Sequence, residues 1–280
     1  MPSTTPGSQS EKADRFRALH AGPEAFVIAN PFDAGSARVL EGLGFAALAT
    51  SSGGFAGTMG RRDGRVTRDE AMTHARLVVE AVDVPVSADL ENGFGHAPDF
   101  AAETVRLAAG TGLIGCSIED ATGEQDRPLY GLDEAVARIE ASVAAARSLP
   151  FAFTLTARTE NFLRGNPDLD DTIRRLQAFE KAGADVLMAP GLPTLEAVRA
   201  VCAAVGKPVN FMVGIPGKSF SVADLQAAGV RRISLATSLW RAAMTGLLDA
   251  VREVKDHGTF GYVETATRAM NDFMRNDPRG

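Results

Sequence analysis

The stretch VSADLENGFG, residues 86–95, ends an apolar run in two carboxylates two positions apart, Asp89 and Glu91, ahead of the flexible Asn92-Gly93-Phe94-Gly95. A second apolar run, LIGCSIED, ends in Glu119 and Asp120, and a third, FAFTLTAR, ends in Arg158 and continues into Thr-Glu-Asn. Acids brought close raise one another's pKa, and gathering several of them is costly unless a cation compensates. A hard divalent ion takes carboxylate oxygens while keeping several waters, which leaves positions open for a chelating substrate. Asp89, Glu91 and Glu119 are therefore a candidate magnesium or manganese site. His96, a lone histidine after a Gly-rich turn, is the only nitrogen ligand near them in the chain, so zinc is disfavoured.

Each feature alone has a plainer reading. An acid at a strand end is often the N-cap of the next helix. Gly53-Gly54 reads equally as a strand-to-loop turn, and Arg158 as an internal partner of Glu160 or Glu119. The convergence of acids after two apolar runs is what favours chemistry.

These residues need elements to position them. Eight strand-like runs occur, at 25–30, 46–50, 84–90, 113–119, 151–158, 184–190, 208–214 and 231–237. Between them lie stretches of helical period such as 98–109, 132–147, 168–182, 193–204 and 238–256. Alternation of this kind demands right-handed crossovers and parallel strands, and eight units in about 250 residues is the size of a (β/α)8 barrel. Active sites of that fold form at the C-terminal strand ends. There the chain places Asn30, Thr50-Ser51-Ser52-Gly53-Gly54, Asp89, Glu91, Glu119 and Arg158, with Asn210 on the seventh strand. Residues 13–258 are read as the barrel and 1–12 as a disordered tail. Residues 259–280 are read as a helical extension with Val263, Ala266, Met270 and Met274 on roughly one face.

Composition excludes other partners. With 280 residues, 45% hydrophobic and net charge −6, the chain can bury a large core but offers no basic stretch for nucleic acid. No run approaches the eighteen or so apolar residues of a membrane span, and two cysteines in apolar runs, Cys116 and Cys202, fit a reducing cytoplasm without disulfides. The expected partner is a small carboxylate.

NPFDAGSA, TSSGG, RRDG, SADLENGFG, CSIEDATG and TARTEN, in this order between about residues 22 and 245, resemble the isocitrate lyase/phosphoenolpyruvate mutase superfamily. The resemblance implies magnesium held directly by Asp89 and through water by Glu91, Glu119 and Asp63. It implies that the backbone amides of Ser52, Gly53 and Gly54 take a substrate carboxylate and that Arg158 pairs with the substrate. Asn30 and Asn210, from their places on the first and seventh strands, are expected to add substrate contacts. Arg158, Asp63 and Glu119 are the expected catalytic groups. It also implies a homotetramer, or a dimer, with the last helix on a neighbouring subunit.

The chain departs from that family where the lyases carry a Lys-(Lys/Arg)-Cys-Gly-His loop. Here the region reads EDATGEQDRPLYGLDEA, without cysteine, so isocitrate and methylisocitrate cleavage are not expected. The expected activity is a magnesium-dependent carbon–carbon lyase or decarboxylase on a small 2-oxo or 2-hydroxy (di)carboxylic acid, through a metal-stabilised enolate. Tyr130 and His96 are the candidates for a proton donor. The alternative is a phosphonopyruvate-type enzyme, for which GIPGKSFS (214–221) with Lys218 would be the phosphate loop. A Schiff-base aldolase would need a lysine at a strand end, and none is there. A metabolite-binding barrel without turnover is the non-enzyme reading.

Overall fold

In the computed structural model, which describes residues 7–266 and 270–274, eight short parallel strands form one sheet. They are β1 (Phe26–Ile28), β2 (Leu48–Ala49), β3 (Val86–Asp89), β4 (Gly115–Glu119), β5 (Thr154–Arg158), β6 (Val186–Met188), β7 (Val209–Met212) and β8 (Arg232–Ser234). The order β1-β8-β7-β6-β5-β4-β3-β2 runs right round a (β/α)8 barrel, and every ladder is parallel. The remaining seam, between β1 and β2, is closed by the single bridge Ala29 to Leu48, with Ala49 N–H donating to the Ala29 carbonyl at 3.0 Å.

Asn30 completes that seam. Its amide nitrogen donates to the carbonyls of Ala49 and Thr50 at 2.9 and 3.1 Å, and its oxygen accepts from Leu235 and Ala236 N–H at 2.9 and 2.8 Å. Two donors and two acceptor positions are all that an asparagine side chain has. The substrate contact expected of Asn30 is therefore replaced by a structural one: it laces three strand ends together where the ladder fails.

The helices between the strands are α1 (Gln9–Ala21), α2 (Ala34–Gly42), α3 (Ser52–Thr58), α4 (Arg68–Ala81), α5 (Pro98–Gly110), α6 (Leu132–Arg147), α7 (Leu169–Lys181), α8 (Leu195–Ala204), α9 (Val222–Ala227) and α10 (Ser238–His257). Short polar residues start several of them. Asp33 and Ser36 cap α2 reciprocally, Thr67 and Glu70 do the same for α4, and Asp168 and Thr194 cap α7 and α8. Asp33, just past the end of β1, is thus a cap.

The strands alternate sharply. Outward residues such as Ala88, Cys116, Ile118, Leu155, Ala157, Leu187, Val209, Phe211 and Ile233 build the main core against the helices. Inside the barrel the chain is polar: Ser117 approaches Asp89 at 3.5 Å, Ser234 donates to Asn210 at 3.0 Å, and Arg232 donates to Thr156 at 3.3 Å. These contacts offset much of the cost of burying such groups, although Arg232 Nε and Thr154 Oγ1 have no partner among the described residues.

α1 lies across the N-terminal end of the barrel. Phe16 packs with Ile28, Ala47 and Ile114, and its ring faces the Arg232 guanidinium at 5.7 Å. The helix begins at Gln9 with a Ser8–Glu11 capping box, and Lys12 is buried, so residues 9–12 are helix rather than tail. At the other end the expected single helix is divided: Tyr262–Thr265 and Met270–Phe273 are helical (α11, α12), while Ala266 is extended with ψ 122°. Phe273 packs where any Cβ on Gly42 of α2 would stand, so the extension covers α2 of its own chain.

Candidate active site

The C-terminal ends of the strands open into a cleft of about 990 Å³. Asp63, Asp89, Glu91, Glu119, Arg158 and Ser52 all line it. Asn30 and Asn210 do not; they lie below, beside a small interior cavity of about 30 Å³. Asn210 donates to the Met188 sulfur at 3.1 Å and accepts from Ser234.

Asp89 stands at the end of β3. Ser52 Oγ donates to its Oδ2 at 3.0 Å, and the Glu91 amide donates to Oδ1 at 3.3 Å. Glu91 follows in the left-handed region, φ 49°, as do Phe94 at 62° and Ala236 at 51° in the loop after β8. Such backbone is costly for residues with a Cβ, and it clusters where loops are held in place for a site.

The acids of the cleft oppose one another's ionisation. Burial, then Asp89 and Asp63, push the Glu91 carboxyl up to about 8. Burial, then Glu160, raise Glu119, against the pull of Arg158. Asp63 is open to solvent by surface area, yet protein closes around its carboxylate; burial and the charge of Asp89 raise it too. Three acids reluctant to ionise beside a fourth form a site that a divalent cation would relieve. Among the described residues no three His, Cys, Asp or Glu side chains stand close enough to hold an ion directly. The donor set instead fits a hydrated magnesium, which binds through one or two carboxylates and keeps waters toward the rest.

Two arginines face these acids. Burial opposes the charge of Arg158, but Glu160, Glu119 and Asp89 hold it protonated; its Nε donates to Glu160 at 2.6 Å and lies 3.4 Å from Glu119. Arg164, which the sequence reading passed over, donates through Nε to the other Glu160 oxygen at 3.1 Å and reaches Glu119 at 3.5 Å. Glu160 is completely buried and thereby fixes both guanidiniums. Its i, i+4 spacing from Arg164 was visible in the sequence, but nothing there distinguished it from a surface pair.

TSSGG forms the first turn of α3. Ser51 is the N-cap and accepts the Gly54 N–H at 3.2 Å; the Ser52 N–H leans toward Asp89 at 3.5 Å. Of the three expected amides, Gly53 N–H alone has no acceptor among the described residues. A Cβ at Gly53 would stand 2.9 Å from Thr237 Oγ1 and 3.1 Å from Asp63 Oδ2, so glycine is required where the three segments meet.

At the rim, His96 Nδ1 and Tyr130 Oη are 2.8 Å apart, and Arg138 stacks on the Tyr130 ring at 4.3 Å while donating to the carbonyls of Asn92 and His96. His96 lines the cleft and Tyr130 does not. Asp120 is buried against Arg175, Thr159 and the Glu160 amide, a structural role. Lys218 is turned to the Gly191 carbonyl at 3.3 Å, and no lysine lines the cleft. Cys116 and Cys202 lie outside it, and burial raises both thiols, Cys202 to about 11.

Barrel, acids and paired arginines at the C-terminal mouth define a (β/α)8 barrel whose charged cleft lies where enzymes of this fold carry their active sites. The chain belongs to the phosphoenolpyruvate phosphomutase family, whose model matches residues 16–255, within the isocitrate lyase/PEP mutase superfamily. It is 31% identical over 232 residues to an oxaloacetate decarboxylase of Bradyrhizobium diazoefficiens, covering 80% of this chain and 78% of that one. It is 28% identical over 259 residues to a 2-methylisocitrate lyase of Halalkalibacterium halodurans, covering 91% and 85%. A solved structure of a candidate lyase/mutase from Burkholderia cenocepacia J2315 superposes with a TM-score of 0.94 at 51% identity, over 96% of this chain and 98% of that one.

Proposed function

We propose that the protein is a magnesium-dependent carbon–carbon lyase or decarboxylase acting on a small 2-oxo or 2-hydroxy (di)carboxylic acid, with an enolate as the product of bond cleavage. The convergence of Asp63, Asp89, Glu91 and Glu119 with Arg158 and Arg164 in one cleft carries this reading. A magnesium ion bound there would supply a Lewis acid to the oxygen on which charge develops. Asp89 would hold it, with Glu91, Glu119 and Asp63 facing its waters. Arg158, immobilised by Glu160, orients a substrate carboxylate in fixed geometry, and the Gly53 amide offers a second donor. Arg164, half-open to the cleft, suits a distal carboxylate. His96, backed by Tyr130, is a group on the cleft wall able to move a proton.

The similarity to an oxaloacetate decarboxylase supports an oxo-acid substrate. Methylisocitrate cleavage, the activity named for another relative, is disfavoured because loop 121–131 has no cysteine and both thiols lie elsewhere with raised pKa values. Phosphonate chemistry is the second reading, favoured by the family model; the turn of Lys218 away from the cleft speaks against it. Purified protein with magnesium, assayed on oxaloacetate, short 2-hydroxy dicarboxylates and phosphonopyruvate, separates these. Chelator-sensitive pyruvate or glyoxylate release is expected; turnover of phosphonopyruvate alone would transfer the enzyme to the phosphonate branch.

A further inference from the structure

One wall of the cleft carries a chain of hydrogen bonds that runs in a single direction. Asn92 and His96, on the loop between β3 and α5, both line the cleft, and Tyr130 behind them is fully buried. The backbone orients the Asn92 amide: its Oδ1 accepts the Phe94 N–H at 3.0 Å, so Nδ2 is the atom that faces the Thr122 carbonyl at 3.2 Å and Tyr130 Oη at 3.3 Å. An amide nitrogen only donates, and the phenol oxygen therefore accepts from Asn92. The phenol has one hydrogen left to place. Among the described residues its only other hydrogen-bond partner is His96 Nδ1, 2.8 Å away, and Tyr130 has no surface open to solvent. Tyr130 thus donates to Nδ1, and the neutral imidazole must carry its own hydrogen on Nε2.

Arg138 of α6 holds this chain in place. It is buried, its guanidinium stacks on the Tyr130 ring at 4.3 Å, and it donates to the carbonyls of both Asn92 and His96. Burial raises the Tyr130 phenol, and the Arg138 charge opposes that rise. The His96 side chain is half-exposed, so the ring links a buried hydroxyl to the open cleft. Its Nε2 lies 3.5 Å from Glu124 Oε1, and Glu124 is itself paired with Arg127.

Building on the lyase reading above, we propose that Asn92 and Tyr130 are positioning residues that make His96 a one-way proton donor, from Nε2 to the carbon left as an enolate when the substrate bond breaks. The enolate's carbon–carbon electron pair forms the new C–H bond as the Nε2–H bond breaks, and the carbonyl is restored. Nδ1 takes the Tyr130 hydrogen in the same event, so the ring stays neutral and the negative charge passes to the phenolate, beside Arg138 and the Asn92 amide. Water from the cleft then reprotonates Nε2, hydroxide departs, and the Nδ1 hydrogen returns to the phenolate. With Nδ1 held by the phenol, Nε2 gives a proton to the substrate and does not take one from it.

The test is nitrogen NMR of the 4 histidine rings in the full-length protein, at a pH where His96 is neutral, with His96→Gln to assign its signals. An Nε2–H ring is expected, its Nδ1 resonance displaced by a hydrogen bond that Tyr130→Phe removes while the ring stays stacked on Arg138. Asn92→Asp, whose carboxylate accepts but does not donate, should draw the phenol hydrogen to itself and turn His96 to the Nδ1–H form. In turnover with magnesium, His96→Gln should lower kcat by about 100-fold and Tyr130→Phe by roughly tenfold, each with KM little changed, and the double variant should be no slower than His96→Gln alone. An Nδ1–H ring in the unsubstituted protein, or an Nδ1 resonance indifferent to Tyr130→Phe, would overturn the proposal whether or not a substrate turns over. Turnover whose kcat neither substitution lowers would overturn the donor role and leave the lyase reading standing. Absence of turnover together with the expected NMR signature would place the failure in the lyase reading instead.

Discussion

At the scale of single residues, the cleft is governed by charge that has nowhere to go. Glu91 titrates ordinarily near 4.5 and is pushed up to about 8 in the folded protein. A carboxyl raised in this way stabilises the fold while protonated, and that contribution is lost as pH rises through the folded value. His20, pushed down to about 3, stays neutral above 6.5 and does not confuse that window. Metal-free protein should therefore lose melting temperature between about pH 6.5 and 8, and magnesium should raise it most at the upper end; a magnesium shift that is flat with pH would contradict this. Glu160 carries a second prediction. Because it holds Arg158 and Arg164 by opposite oxygens, Glu160→Gln should weaken oxalate binding in calorimetry and cut kcat/KM by roughly 10–100-fold, the range for groups that orient a site, with the fold intact by circular dichroism.

At the scale of elements, loops carry the site and strands carry the loops. Ala236 holds φ 51° in the turn that places Thr237 against Gly53 and Ser51. Ala236→Gly should relieve about 1–2 kcal/mol of backbone strain, which outweighs the entropy gained by the unfolded chain, and so raise the denaturation midpoint; a lowered midpoint would contradict this. Such strain is not legible in a sequence, because alanine announces no turn. What was legible is the alternation: all eight strands and helices α5, α6, α7, α8 and α10 fall within the expected runs to a residue or two. The carboxylates at the ends of β3 and β4 were legible for the same reason, since a charge ending an apolar run has few uses. Asn30 was misjudged because position at a strand end does not reveal that the β1–β2 ladder reduces to one bridge needing a side-chain lace. Arg164 went unnoticed because only the folding of 161–165 swings it back over Glu119.

At the scale of the whole molecule, α10 is the element that the single chain leaves unused. It has no buried residue along Ser238–His257, and Leu247, Leu248, Val251 and Val254 are exposed, while its first turn packs inward, Leu239 against the core and Trp240 on Gly57 of α3. We propose that a second copy covers this face, in a tetramer or dimer. Leu248→Asp/Val251→Asp should then lower the mass seen by light scattering, and an unchanged mass would count against it. Among the described residues no helix is long and apolar enough to cross a membrane. The acid cluster at the C-terminal mouth is the part of the molecule on which the proposed chemistry depends. The most direct measurement is pyruvate release from oxaloacetate and short 2-oxo acids by wild-type protein and Asp89→Ala, with magnesium and with EDTA. The account predicts turnover that EDTA abolishes and that Asp89→Ala lowers by about 100-fold or more, in a variant that still folds. Turnover undiminished by either EDTA or the substitution would contradict it.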